Sequence, residues 1–146
     1  MSRFAIVALF CEDVRVEASG QETLIGIFGD NLAVTQVPGL MSKMSIYIRC
    51  NFASDFDLKT LSHKFISPSG SVLHEIPIGQ KMITDAIEQV RVENSPMLGI
   101  KISAIFAPFA INEYGRHSLL SYVNEEEYLT GFANITASPP NPGSTA

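Results

Sequence analysis

Residues 43–52 constrain this chain more than any other stretch. Met44, Ile46, Ile48, Cys50 and Phe52 alternate with Lys43, Ser45, Tyr47, Arg49 and Asn51. Side chains along a strand point to opposite faces in turn, so this pattern predicts a strand with one apolar face and one wet face. Period two recurs along most of the sequence, separated by Gly, Pro and Asn turns. Gly99–Phe106 places Ile100, Ile102, Ala104 and Phe106 on one face, and Arg116–Val123 and Leu129–Thr136 read as the last two strands. No strand–helix–strand alternation is present. The expected fold is therefore all-β, an antiparallel immunoglobulin-like β-sandwich of about eight strands with at most one short helix. Met82–Val92 is the one credible helix, since Ile83, Ile87 and Val90 fit helical spacing, although Val90 and Val92 also fit a strand.

Residues 1–136 make a single sandwich domain, matching the 146-residue length. Residues 137–146, Ala-Ser-Pro-Pro-Asn-Pro-Gly-Ser-Thr-Ala, read as a Pro-rich tail without core-forming side chains. Around Ser67-Pro68-Ser69-Gly70, Pro at the second and Gly at the fourth position suit a type I turn. A four-residue loop there would pair Phe65 with Val72, His63 with His74 and Leu61 with Ile76.

Charge excludes some functions. Ten Lys and Arg stand against fifteen Asp and Glu, and no basic stripe forms, so nucleic acid is not an expected partner. Glu125-Glu126-Glu127 reads as a solvated turn. No apolar run approaches the roughly 20 residues that span a bilayer, so no membrane partner is expected. The apolar run Phe4–Phe10 before Cys11 is too short for a lipoprotein signal, and Phe10 is too large beside a cleavage site. Two cysteines, Cys11 and Cys50, are too few for a disulfide framework. They read as reduced, buried thiols, and the expected location is the cytoplasm of a bacterium or an infected host cell.

Ala8-Leu9-Phe10-Cys11-Glu12-Asp13-Val14-Arg15, then Gly20, then Thr23-Leu24-Ile25-Gly26-Ile27-Phe28-Gly29-Asp30, resembles the opening of a family of small bacterial and prophage proteins that carries only a domain-of-unknown-function label. Ala107-Pro108-Phe109 with Tyr114-Gly115 is similar to the last hairpin of many immunoglobulin-like sandwiches. The resemblance implies a fold and brings no catalytic residues or cofactor.

Site chemistry is sparse. In Cys11-Glu12-Asp13 the adjacent acids raise the thiol pKa and the side chains alternate faces, so a strand end with Arg15 pairing a carboxylate is the expected arrangement. Asp55 and Asp57 fit a loop after a strand, and Gly26 and Gly29 fit a bulge or a close approach. No Gly-x-Ser-x-Gly elbow is present, so no catalytic residue is assigned and no cofactor is expected. His63 and His74 form a candidate metal pair only if a further ligand joins them. A small-ligand or metal-binding sandwich is the alternative function.

The expectation carried forward is a non-catalytic interaction or assembly module that associates with itself or with another protein. A viral decoration or tail component is compatible with it. Phe4, Ile6, Phe10, Phe109 and Ile111 are the candidate interface residues. They come from a first strand apolar on both faces and from what reads as an apolar loop, Ala107–Ile111. The competing expectation is that a small sandwich keeps these side chains inside.

Overall fold

The computed structural model describes residues 3–139. It is an all-β sandwich with one helix. The strands are β1 (Phe4–Val16), β2 (Glu22–Ile27), β3 (Asn31–Val34), β4 (Gly39–Met41), β5 (Met44–Ala53), β6 (Leu61–Ile66) and β7 (Val72–Pro77). Helix α1 (Gln80–Glu93) follows, then β8 (Met97–Phe106), β9 (Phe109–Ile111), β10 (Gly115–Val123) and β11 (Glu126–Ala137). One sheet has the order β2-β1-β5-β8 and the other β3-β11-β10-β6-β7, while β4 and β9 form a separate ribbon. The strands number eleven because Gly39–Met41 and Phe109–Ile111, three residues each beside Pro38 and Pro108, are too short to show as periodic segments. The β3–β11 pairing is parallel, so the second sheet is not wholly antiparallel. β11 also runs to Ala137, one residue beyond the expected domain end; of the Pro-rich tail, residues 140–146 lie outside the described residues.

The sandwich is built on β5. Met44, Ile46, Ile48, Cys50 and Phe52 are all fully buried against the facing sheet. Ile100 and Leu98 of β8 continue this layer on one side, and the half-buried Phe4, Ile6 and Ala8 of β1 on the other. The second sheet answers with Leu61 and Phe65 of β6, Leu119 and Val123 of β10, and Ala133 and Ile135 of β11. Gly131 lets the layers close. A Cβ there would stand 3.1 Å from the Ala8 Cβ and 3.4 Å from the Phe10 ring.

The 82–92 segment resolves as helix, with Ile83 buried and Ala86 and Val90 packed on the core. Its polar face carries a Lys81–Asp85 pair at 2.7 Å and an Arg91–Glu88 pair at 2.6 Å, spacings that only a helix brings together. It lies between β7 and β8, the edge strands of the two sheets on that side.

The β6–β7 register differs from the expectation. Ile66 pairs with Val72, Phe65 with His74 and His63 with Ile76. The Ser67 amide donates to the Ser71 carbonyl at 2.8 Å and the Gly70 amide to the Ser67 carbonyl at 2.9 Å, with Gly70 at φ +93. This is a type I turn closed by a left-handed glycine, which inserts one extra residue into the hairpin. A second irregularity between Phe65 and Ile66 adds another. From the Phe65–His74 pair onward the slide totals two residues, so those side chains keep their face and change partner, whereas Val72 comes opposite the outward Ile66 and is half exposed.

The distal part of the β1–β2 ribbon does not continue the first sheet flat. Lys101 Nζ of β8 lies 2.9 Å from Glu22 Oε1 of β2, although β1 and β5 separate their strands. In a flat sheet Lys101 stands level with Arg49 and Val7, and Glu22 with Val16, about 30 Å further along β1. The ribbon therefore bends back over the outer face. The bend lies where a Cβ on Gly26, at φ +64, would stand 3.1 Å from the Glu12 Cβ and where Ser45 donates to the Glu12 carbonyl at 3.3 Å. It also explains why Cys11 and Ser45 are fully buried although their positions point outward. Asp13 in the ribbon pairs with Lys43 at 2.6 Å, not with Arg15.

Replacing Gly131 by Val should wedge the sheets at Ala8, whose Cβ is fixed to the backbone. The expected loss is about 1–3 kcal/mol in urea unfolding, with the folded-state circular dichroism retained.

Candidate functional site

Two places collect the side chains that do chemistry. The first lies inside the sandwich. His63 of β6, Ser121 of β10 and Cys50 of β5 all point inward and are at most 1% exposed. Thr130 donates to the Leu119 carbonyl at 3.2 Å, from a β11 position where the register with β10 shifts. Ser121 Oγ lies 2.7 Å from Thr130 Oγ1, and His63 Nδ1 lies 2.7 Å from Ser121 Oγ. With Thr130 committed as a donor to Leu119, Ser121 donates to Thr130 and His63 Nδ1–H donates to Ser121. His63 Nε2 is left as an acceptor facing Cys50 Sγ at 4.0 Å. Each polar group in the chain therefore has a partner. Among the described residues no fully buried side-chain nitrogen or oxygen lacks one.

This thiol–imidazole–hydroxyl chain is the opposite of an activated nucleophile. Burial holds the His63 imidazole down to about 4 and pushes the Cys50 thiol up to about 12. Both groups are neutral at pH 7, and no carboxylate orients the ring. Thiolate chemistry needs a depressed pKa and access to substrate, and the site offers neither. The arrangement instead satisfies buried polar groups and ties three strands of one sheet to β5 of the other.

The second place is an open cleft of about 340 Å³ lined by Ser67, Ser69, Ser71, Asn112, Glu113 and His117, among others. Glu113 Oε2 accepts from the Ser69 amide at 3.3 Å, and hydrogen bonding from Ser69 holds the Glu113 carboxyl below its usual value. The Ser67 and Ser69 hydroxyls bond each other at 3.1 Å, and His117 Nδ1–H donates to the Gly115 carbonyl at 3.1 Å. The Ser67 and Ser69 hydroxyls engage each other and His117 Nδ1 engages the backbone, so neither hydroxyl is paired with the imidazole. Glu113 ties the 67–71 turn to the 112–115 turn.

The candidate metal pair separates. His63 joins the Ser121 chain, while His74 stacks on Phe106 at 3.9 Å between ring centroids. The two-residue slide removes the direct pairing that would have set them face to face. Among the described residues no group of three or more His, Cys, Asp or Glu is placed to hold a metal ion. Burial, then Asp13, raises the Cys11 thiol. Asp55 pairs with Arg3, and Asp57 lies 3.7 Å from Lys59.

The candidate interface residues are corrected by the fold. Phe10, Phe109 and Ile111 belong to the core, and Phe4 and Ile6 pack against it half-buried. From Phe4 to Phe10 both faces of β1 are apolar, and the even-numbered residues took the inside. Ala107–Ile111 is not a loop throughout. Phe109–Ile111 is β9, paired with β4, so Phe109 and Ile111 turn inward while Ala110 turns out. Of the acidic triplet only Glu125 lies in the turn; the Tyr128 and Tyr122 hydroxyls donate to Glu126 and Glu127 at 2.7 and 2.8 Å.

Two functional-looking residues escape a sequence reading. Ser121 stands among the inward-facing His117, Leu119 and Val123, and a serine in that row signals a buried polar partner. Asn124, at φ +51 in a two-residue turn, accepts from the Lys59 and Thr60 amides at 2.7 and 3.2 Å and donates to the Asp57 carbonyl at 2.9 Å. It fastens the 57–60 loop.

Residues 6–131 match the family of unknown function DUF6941, and the chain belongs to that family. No curated protein and no solved structure matches it. Among the described residues no helix is long and apolar enough to cross a membrane.

The His63 environment sets a pH dependence. The unfolded imidazole takes a proton near 6.5 and the folded one only near 4. Between those values the unfolded chain binds the extra proton, so the contribution is complete above 6.5 and is lost as pH falls towards 4. Denaturant unfolding at steps from pH 7 to 4 should show about 3 kcal/mol lost. A His63→Leu variant, compared over the same range, should lose that slope.

Proposed function

We propose that this member of the DUF6941 family is a non-catalytic assembly module that associates with itself. The supporting observation is where apolar surface remains after the core is filled. On the outer side of the first sheet and the ribbon laid over it, Val7, Val16, Ile27 and Ile105 are each half or more exposed. These positions are distributed over β1, β2 and β8, so they do not arise from one loose segment. Leu40, Val92 and Leu129 are as exposed on β4, α1 and β11, but the four on the first-sheet side span three strands, and apolar surface of that extent favours a protein partner over solvent. The thiol, imidazole and hydroxyl that could have supported catalysis lie sealed in the interior, which favours the non-catalytic reading. A bacterial or prophage origin, as the opening motif implies, and an immunoglobulin-like sandwich, as the Ala107–Gly115 stretch implies, belong to the same proposal.

Light scattering should give a dimer or larger assembly at micromolar concentration. Val7→Lys combined with Ile105→Lys should shift it to monomer with thermal unfolding little changed. Phe109→Asp is the contrasting variant, since it places a charge in the core and should unfold the domain. A wild-type monomer at high micromolar concentration, or an assembly indifferent to the double substitution, would overturn the reading.

A further inference from the structure

Strand β8 is an edge strand, paired with β5 on one side only. The alternation of its backbone groups is fixed by two observations. The Ser54 amide donates to the Pro96 carbonyl at 3.1 Å, which places residue 96 among those facing β5. The next residue, Met97, has its amide and carbonyl taken by the Ser95 hydroxyl, at 3.3 and 2.9 Å. In an antiparallel ladder alternate residues turn both backbone groups to the same neighbour. Leu98 and Ile100 therefore face β5, and Gly99 and Lys101 turn their N–H and C=O groups to the open edge.

At that edge α1 packs against β8 without covering its outer rim. An open cleft of about 510 Å³ runs along their junction, lined by Lys81, Met82, Asp85 and Gln89 of α1 and by Gly99 and Lys101 of β8, among others. A smaller cleft of about 130 Å³ continues it towards Met97, sharing Ala86, Gln89 and Gly99. The result is a groove with unpaired backbone on one wall and a helix on the other. The polar walls are balanced, since Lys81 pairs with Asp85 and Lys101 with Glu22.

We propose that this groove takes an extended, proline-free peptide segment of a partner protein, which adds to β8 as a further strand. Main-chain bonds to Gly99 and Lys101 would hold it, as in other cases of strand addition to a sheet edge. Its residue opposite Ile100 shares that side chain's face and turns towards Met82 and Ala86, which suits a small apolar side chain. The chain's own C-terminus is a poor occupant. Residues 139, 140 and 142 are proline, which cannot donate to a ladder, and Ser138 is bonded to Val34 of β3, at the far edge of the second sheet. The β8 edge of a second copy brings its own α1, which would collide with this one. The proposal shares with the assembly reading only the idea of a protein partner. It uses a different surface and stands if the protein proves monomeric.

The test uses the intact protein and a display library of random heptapeptides. In the free protein, the Gly99 and Lys101 amides should exchange with solvent at least tenfold faster than those of Leu98 and Ile100. Selected peptides should slow that exchange and shift both amide resonances. N-methylation of the peptide bond opposite Gly99, or Gln89→Trp in the groove, should weaken binding at least tenfold. The Val7→Lys, Ile105→Lys protein should bind the same peptides unchanged, which separates this site from self-association. Protected Gly99 and Lys101 amides in the free protein, no enrichment of groove-dependent peptides, or preferential capture of a peptide of residues 137–146 would each overturn the proposal.

Discussion

The inward face of β5 is the contact on which the rest of the molecule depends. Five alternate side chains from Met44 to Phe52 are completely withdrawn from water. Burying each large apolar side chain contributes about 1.5–3 kcal/mol relative to exposure, so this one strand supplies a large share of the driving force. Because β5 lies inside its sheet, β1 and β8 inherit their positions from it, and the second sheet has to present a complementary surface. Phe65, at the centre of that surface, meets Phe10 and Phe109 at 5.8 and 5.9 Å between ring centroids. The short β4–β9 ribbon is held by the same aromatic cluster.

Within this apolar layer the chain from Cys50 to Thr130 is the chemical exception. Buried polar groups are costly when unpaired and nearly neutral when satisfied. Here each donor has an acceptor, and the chain fixes the relative position of β6, β10 and β11. The same burial makes it inert, since it disfavours both the thiolate and the imidazolium. Proximity of Cys, His and Ser alone is therefore no sign of catalysis; access to substrate and a shifted charge state separate a site from a buried network.

The surface tells a different story from the core. The ribbon folded over the first sheet covers part of a face that the strand pattern leaves bare, and α1 stands beside an edge without closing it. Both are ways in which a sandwich manages exposed strands. The first leaves apolar side chains around its rim, and the second leaves backbone groups unpaired in a groove. These two places, and not the buried polar cluster, are where the molecule offers something to a partner.

Face assignments were legible in the sequence because side-chain alternation depends only on neighbouring residues. Met44 to Phe52, Ile100, Phe65 and Ile76 all point where their periodicity put them. The opening motif lies within the stretch that the family match covers. Partners across strands were not legible. A left-handed glycine at Gly70 and one further irregularity slid β6 against β7 by two residues, moving His74 from His63 to Phe65 without changing its face. Phe10, Phe109 and Ile111 showed the same limit. Their apolar character was plain, but whether it served core or contact depended on β9 finding β4 and on which face of β1 met the other sheet. Local periodicity is written in the order of residues. Register, edge exposure and the company a side chain keeps are settled by contacts between segments far apart in the chain, so only the assembled sandwich decided them.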